Sequence, residues 1–441
     1  MKHFLTIIFM IAAFIIINPF DVSATAEEEW KKDLNLSDTI SSSIVEVDKG
    51  VVLIQYEGGA SENSTLTKYD LKGNQIWSIK NDYGYEMGAL DGGVLVYTTG
   101  SNYTMTKISS EGKVVWTKQY KDNAHLSSRT QVIDLEVGFI ISDSNSIYRY
   151  DNNGNLLRSI KRDEILEDIF GDDNYSDYNF NVSLSNDKES ILVFLTRYQR
   201  VTGGTSGYYH TVAEYSLNLD YKSSTIAYSG SDLLTYLTKM IETENNYIIT
   251  GNYTLVFNKK GQIDKILNVA MMDIEYIDGY IYAYVGKTLE DYGSFNTYIA
   301  KYDENMKKIA EYQLPYTFSS DGSTYSYGNF INTTSFADLK NRSVFYKDAN
   351  DIHFIALNSA IVEPGLTSFY ADVVGSNYNI AQYRFADGGS NSAVTDDGII
   401  DNIFENPETS SIAVVIAFVV VILLGGIGFY FGYKKKKAKN M

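Results

Sequence analysis

The chain contains no cysteine, so disulfides and thiolate metal sites are excluded from the outset. Proline and histidine are equally sparse, 4 of each in 441 residues. Beyond His3, the histidines His125, His210 and His353 are far apart in sequence and form no pair at metal-ligand spacing. Basic charge is in deficit: 37 Lys and Arg stand against 55 Asp and Glu, a net charge of −18. That balance argues against nucleic acid, whose phosphates need Lys and Arg, and is read as a solvated acidic exterior. Signatures of catalysis are missing too. No Gly-x-Ser-x-Gly elbow occurs, and the glycine-rich Gly203–Gly207 lacks the Lys-Ser/Thr of a phosphate cradle. Asp151-Asn152-Asn153-Gly154-Asn155 lacks the closing acid of a calcium loop and reads as a hairpin turn. No catalytic residue, metal or cofactor is expected.

What the chain has in quantity is tyrosine, 37 residues, which suits strands because the ring packs on a pleated surface while the hydroxyl reaches water. It also has a repeat. Leu66–Lys80 (LTKYDLKGNQIWSIK), Thr106–Gln119 (TKISSEGKVVWTKQ) and Ile147–Lys161 (IYRYDNNGNLLRSIK) each read as strand, polar turn and strand. The turn ends on Gly73, Gly112 or Gly154, and Trp77 and Trp116 follow on the second strand. Hairpins recurring at about 40 residues indicate an all-β propeller or a β-solenoid.

Taken in order, Trp30–Leu36 resembles the second strand of the repeat and stands alone, as an outer strand that completes the last blade would. Blade one runs from about Ile44 to Asn81, with an apolar strand at Val51–Tyr56, and blades two and three follow the same plan. Glu164–Phe170 has helical spacing and reads as a short helix between blades. Ser231–Ile241 reads as a second helical insert with a Leu233, Leu234, Leu237, Met240, Ile241 stripe. Blade five turns on Gly261; blade six has Met306 where the glycine belongs, which weakens the match. Blade seven is faint, at Ser343–Leu357, and Gly365–Glu405 reads as a last strand or two and a flexible stalk. Seven blades is the count, with six or eight as alternatives.

The Asp-x-x-Gly turn followed by Trp, carried by Asp70, Gly73 and Trp77, by Gly112 and Trp116, and by Asp151 and Gly154, resembles the repeat of pyrroloquinoline-quinone-type and related WD-like bacterial propellers. The resemblance implies fold and not activity. Quinone dehydrogenases of that class need an acidic calcium site and usually a vicinal disulfide, and this chain has no cysteine.

Both ends carry membrane signals. Lys2 and His3, the apolar Phe4–Ile17 and the small trio Ala24-Thr25-Ala26 read as a cleaved export leader. Ile412–Tyr433 is apolar without a charge and long enough to span a bilayer, and Lys434–Lys437 with Lys439 hold that end in the cytoplasm. Asn406-Pro407-Glu408-Thr409-Ser410 precedes the span, and motif, span and basic tail resemble a Gram-positive cell-wall sorting signal. The sortase pentapeptide is matched at Pro407 and Thr409; Asn406 stands for Leu and Ser410 for Gly. The expected organisation is a leader at 1–26, an extracellular propeller at 27–363, last strands and stalk at 364–410, a transmembrane helix at 411–433 and a basic tail at 434–441. The expected role is a non-catalytic binding or scaffold module on a Gram-positive surface, single-pass in the membrane or linked to the cell wall, taking a protein or glycan through rim loops. Candidate contacts are Tyr208, Tyr209 and His210 in one loop and Tyr325 and Tyr327 in another. The rivals are an enzyme acting on polysaccharide or peptide at the central channel, and a structural partner in an envelope complex.

Overall fold

A computed structural model describes residues 24–25, 27–34, 42–56, 64–84, 86–98, 100–126, 130–143, 145–171, 177–199, 207–229, 239–250, 253–267, 269, 271–288, 294–319, 343–348, 351–358 and 379–385. The chain opens with β1 (Ala24–Thr25) and β2 (Glu27–Asp33). Blade 1 follows as β3 (Ser42–Val47), β4 (Gly50–Tyr56), β5 (Ser64–Asp70) and β6 (Gln75–Asn81). Blade 2 is β7 (Glu86–Leu90), β8 (Gly93–Tyr97), β9 (Gly100–Ile108) and β10 (Val114–Leu126). Blade 3 is β11 (Gln131–Asp134), β12 (Phe139–Ser142), β13 (Ser146–Tyr150) and β14 (Leu156–Lys161), and the helix α1 (Arg162–Phe170) leads out of it. Blade 4 is β15 (Asp177–Leu184), β16 (Ser190–Gln199), β17 (Gly207–Ser216) and β18 (Tyr221–Ser229). Blade 5 is β19 (Lys239–Glu242), β20 (Asn246–Thr250), β21 (Thr254–Asn258) and β22 (Ile263–Leu267). Blade 6 is β23 (Met271–Ile277), β24 (Tyr280–Thr288), β25 (Ser294–Tyr302) and β26 (Lys308–Ser319), with β1 added in parallel on its outer edge. Blade 7 is β27 (Ser343–Asp348), β28 (Asp351–Asn358) and β29 (Asn379–Phe385), and its fourth strand is β2 from the other end of the chain.

The first strands of successive blades neighbour one another around a complete circuit, and β27 returns to β3. The protein is therefore a seven-bladed, all-β propeller. The second strand of each blade is the apolar run of the sequence, because it is covered on both faces. Val51, Val52, Leu53 and Ile54 of β4 are fully buried, as are Ile281, Ala283, Phe354 and Ile355 in β24 and β28. The core is a set of wedges between adjacent blades: Val45, Ile54 and Leu66 meet Met87, Val94 and Val96 between blades 1 and 2, and Ile44, Leu53 and Tyr69 meet Tyr346, Ile355 and Ile380 where the ring closes.

The repeated hairpin has a structural cause. In all seven blades the outer strand bulges by one residue, skipping Ile76, Val115, Leu157, Lys222, Asp264, Ile309 and Glu29 in blades 1 to 7. The bulge turns the next residue toward the following blade. In three places that residue is tryptophan. Trp30 donates to Leu71 O at 3.2 Å, Trp77 to Ser110 O at 2.9 Å and Trp116 to Asn152 O at 3.0 Å, each in the turn of the next blade. A Cβ on Gly73 would lie 2.6 Å from the Trp30 ring, and one on Gly112 would lie 2.9 Å from that of Trp77. These glycines also have φ of 76° and 77°. Glycine is required there twice over, by the left-handed backbone and by the indole laid across it.

Three expectations change. Met306 does not weaken blade six: it takes φ 56° and its N–H reaches Asp303 O at 2.9 Å, as Gly73 reaches Asp70 O at 3.0 Å. Leu219 does the same at φ 65°, and both side chains are 1% exposed, so burial offsets the strain. Met240 and Ile241, expected on a helical insert, belong to the inner strand β19; residues 231–238 lie outside the described residues. The boundary drawn at 363 moves, because Asn379–Phe385, in the stretch read as a last strand or two, is the third strand of blade 7. The helix expected at Glu164–Phe170 is present as α1, and Trp30 lies on the closing strand as expected. The segment Ile412–Tyr433 lies outside the described residues, among which no helix is long and apolar enough to cross a membrane.

Two substitutions should move stability in opposite directions, read as urea or thermal midpoints. Gly112→Ala combines left-handed strain with a clash on Trp77 and should cost about 1–3 kcal/mol. Lys188→Gly relieves an exposed lysine at φ 61° and should gain about 1 kcal/mol.

Candidate functional site: the inner wall of the ring and its loop-bearing face

The inner strands are apolar toward the wedges, yet four charged side chains from them converge. Lys239 of β19 lies 3.0 Å from Asp273 and 2.7 Å from Glu275, both on β23. Ser343 of β27 donates to Asp273 at 2.9 Å. Glu46 of β3 interacts electrostatically with Glu275 and Lys239. Four blades thus contribute to one cluster. Glu46 is exposed by surface area while remaining strongly desolvated, as expected for a group that water reaches only between closely spaced inner strands. Burial, with the Glu275 charge adding to it and Lys239 opposing it, pushes Glu46 up to about 7. Burial likewise raises Asp273. For Lys239 burial acts downward, but the two carboxylates outweigh it and its ammonium is held charged. A lysine facing three acids can position a proton; Ser343 is the one hydroxyl joined to the cluster, and among the described residues no histidine lies beside it to act as its base. Among the described residues no group of His, Cys, Asp or Glu could hold a metal ion.

A second polar knot sits where the ring closes. The bulged Glu29 of β2 meets His353 Nδ1 at 2.8 Å and accepts from Gln382, while Glu27 pairs with Arg384. Residue types distant in sequence are brought together here by the closing strand.

The two faces of the ring differ. On one, every connection is short, with at most five residues between strands, as from Leu184 to Ser190 or from Tyr302 to Lys308. Its turns are locked: Asp70, Asp151 and Asp303 each accept two backbone N–H bonds from the turns they open, at 2.8–2.9 Å. Asp151 therefore opens a hairpin turn, as the sequence suggested. At the other face lie the strand ends that bound the longest intervals in sequence, Lys161 to Asp177, Ser319 to Ser343 and Asn358 to Asn379.

The candidate loop residues divide. Tyr208 and Tyr209 are half-buried at the loop-bearing end of β17, with ring centroids 5.0 Å from Tyr198 and Tyr228 respectively. His210 is not a loop contact: it is fully buried, its Nδ1 lies 3.4 Å from Thr196 Oγ1, and burial lowers it to about 4. Tyr325 and Tyr327 lie outside the described residues, as do Asn406, Pro407, Glu408, Thr409 and Ser410. Gly73, Gly112, Gly154 and Gly261 are all turn glycines with positive φ, and Trp30, Trp77 and Trp116 are the outer-strand anchors. The charged cluster on the inner wall was missed. Its signal was present, as single charges within apolar strands, in Val45-Glu46-Val47 and Asp273-Ile274-Glu275.

No family model matches the chain, and a search of curated proteins finds no match. Solved structures that are similar to it are so at low identity and low TM-score. The WD40 domain of SCAP from fission yeast is 8% identical, with 75% of this chain and 82% of that one covered at a TM-score of 0.38. The β-propeller domain of the Trilobed protease from Pyrococcus furiosus, described as having an open velcro topology, is 10% identical over 75% and 90% at 0.37. The polysaccharide lyase Uly1 is 10% identical over 78% and 89% at 0.41.

Two titrations with opposite signs should be separable. Glu46 has a folded value above its ordinary 4.5, so its contribution to stability falls as pH rises from about 4.5 to about 7. His210 has a folded value below its ordinary 6.5, so its contribution rises between about 4 and 6.5. Relative to the parent chain, Glu46→Gln should therefore gain stability as pH is raised across the first window, and His210→Gln should lose the rise across the second. Urea unfolding at several pH values reads both. Lys239→Met leaves Asp273 and Glu275 facing each other without a cation. Its cost should fall between the about 1 kcal/mol of an exposed pair and the about 3–5 kcal/mol of a buried one.

Proposed function

We propose that this chain is a non-catalytic binding module held at a Gram-positive cell surface, which takes a protein or glycan partner on the loop-bearing face of its propeller. The observation that carries the reading is where the chain enters and leaves the ring. Glu27 pairs with Arg384, and Phe385 lies opposite Ile352 just beyond the short turn from Asp348 to Asp351. Both ends therefore leave from the face of locked turns. A C-terminal tether at Ile412–Tyr433 would join the ring on that face and leave the long connections of the other free for a partner. The leader at 1–26 would deliver the ring outside, and wall attachment through Asn406–Ser410 is a variant of the same arrangement.

A second reading draws on one observation, the desolvated Glu46 beside Glu275: an enzyme acting on polysaccharide or peptide within the ring. Under that reading Glu46→Gln abolishes turnover with the fold retained, whereas a binding module keeps its full partner affinity.

The test places a photo-crosslinking residue at Tyr208, on the loop-bearing end, or at Lys260, in a short turn of the other face, in the full chain in intact cells. Adducts to one protein or glycan species from position 208 and none from 260 are expected. Adducts from 260 alone, or from neither position, contradict the reading.

A further inference from the structure

One strand is built from residues that the sequence assigns to an export leader. Ala24 and Thr25 form β1, which adds a fifth strand in parallel to the outer edge of blade 6, Ala24 opposite Tyr312 and Thr25 opposite Gln313. Among the described residues no other blade has a fifth strand. β2 begins just beyond it at Glu27, which lies opposite Arg384 in blade 7. One short stretch of chain therefore edges two successive blades. A single residue, Ala26, separates its two ladders in sequence and itself lies outside the described residues.

This stretch is under two demands that exclude each other. As the end of a leader, Ala24-Thr25-Ala26 must be free, because a peptidase needs the main chain around the bond that it cuts. As β1 and β2, the same main chain is paired with β26 and β29. Side chains tighten the second ladder. Glu27 pairs with Arg384, Glu29 meets His353 Nδ1 at 2.8 Å and accepts from Gln382, and the Trp30 indole donates to Leu71 O across the joint. The chain on both sides of the Ala26–Glu27 bond is thus tied to the ring, and cutting there requires a ladder to be undone.

We infer that the Ala26–Glu27 bond is a processing site gated by closure of the ring: a membrane-bound signal peptidase cuts it while β1 and β2 are unpaired, and a ring that closes first shields it. The inference rests on the leader reading used above. In the cut, water adds across the peptide C–N bond, its oxygen going to the Ala26 carboxylate and both its protons to the new Glu27 ammonium. The cut removes β1 and bares the edge of β26 at Tyr312 and Gln313, while β2 keeps its pairing and the ring stays closed. A chain that closes first keeps the apolar Phe4–Ile17 in addition to the C-terminal span. The order of the two events therefore sets how many apolar segments tie the ring to a membrane.

The full chain, unfolded in urea, is diluted into detergent in two orders: with signal peptidase present from the start, or with the peptidase added after folding is complete. Intact mass reads the product. A chain beginning at Glu27 should form in the first order, and at least about tenfold more slowly in the second, because cutting of a closed ring follows the small population that opens. Trp30→Ala, which loosens β2, should speed the late cut and leave the early one unchanged. A second measurement needs no peptidase. In the double variant Thr25→Cys, Gln313→Cys, mild oxidation of the folded full chain should form an intrachain disulfide, since the two positions are paired. Equal rates in the two orders, a late cut in Trp30→Ala no faster than in the parent, or thiols at 25 and 313 that stay free in the folded chain each overturn the inference. Cutting at another bond, or in neither order, removes the leader reading and the inference with it.

Discussion

Everything else in this protein depends on a joint that is not covalently continuous, the pairing of β2 with β29. Six blades close their own sheets through a hairpin, but the seventh borrows its outer strand from the beginning of the chain. The borrowed strand is polar, EEEWKKD, and only Trp30 in it is even partly buried. What fixes its register is a short set of contacts: the Trp30 indole on the blade 1 turn, Glu29 against His353 and Gln382, and Glu27 against Arg384. Without that strand the blade 7 sheet would present an open edge to solvent, and the wedge of Ile44, Leu53, Tyr346 and Ile355 would lose its outer cover.

Closure in this manner has a functional consequence. Because first and last strands meet side by side, the chain enters and leaves at one end of the ring. The turns at that end are short and satisfied by their own side chains, so they form a rigid platform. The opposite face is free to carry long connections without disturbing the blades, an arrangement that concentrates variability on a fixed scaffold. The inner wall adds a third element, a cluster in which Lys239 holds Asp273 and Glu275 while Glu46 stays poised near neutrality. It ties together strands from blades 1, 5, 6 and 7, where an apolar ring would leave their relative heights less firmly set.

Much of the ring was legible because the repeat is written in residues with few substitutes. Glycine marks a left-handed turn under an indole, and tryptophan marks the outer strand that reaches it, so blades 1 to 3 and the orphan strand at Trp30 could be read directly. Where the indole is absent the glycine is free to change. Blade 3 offers Arg158 in place of tryptophan, and Leu219 occupies the next turn; Met306 follows in blade 6. Those turns were opaque because the buried side chains of Leu219 and Met306 support a backbone that their sequence does not announce. Met240 and Ile241 misled for another reason: a short inner strand and a helical stripe place apolar residues at overlapping spacings. A local reading could mark Glu46, Asp273 and Glu275 as charges within apolar strands but not join them, since the cluster's members come from β3, β19, β23 and β27 and only closure of the ring assembles them.

The most direct test of this account uses the absence of cysteine. Glu27 and Arg384 are directly opposed across the β2–β29 pair, a spacing of about 4.5–5.5 Å between Cα atoms that a disulfide can bridge. The double variant Glu27→Cys, Arg384→Cys, oxidised in dilute solution, should form a single intrachain crosslink in monomeric protein and raise the unfolding midpoint. Free thiols that persist in the folded protein, or crosslinks that form only between chains, would mean that the ring is not closed by its own first strand.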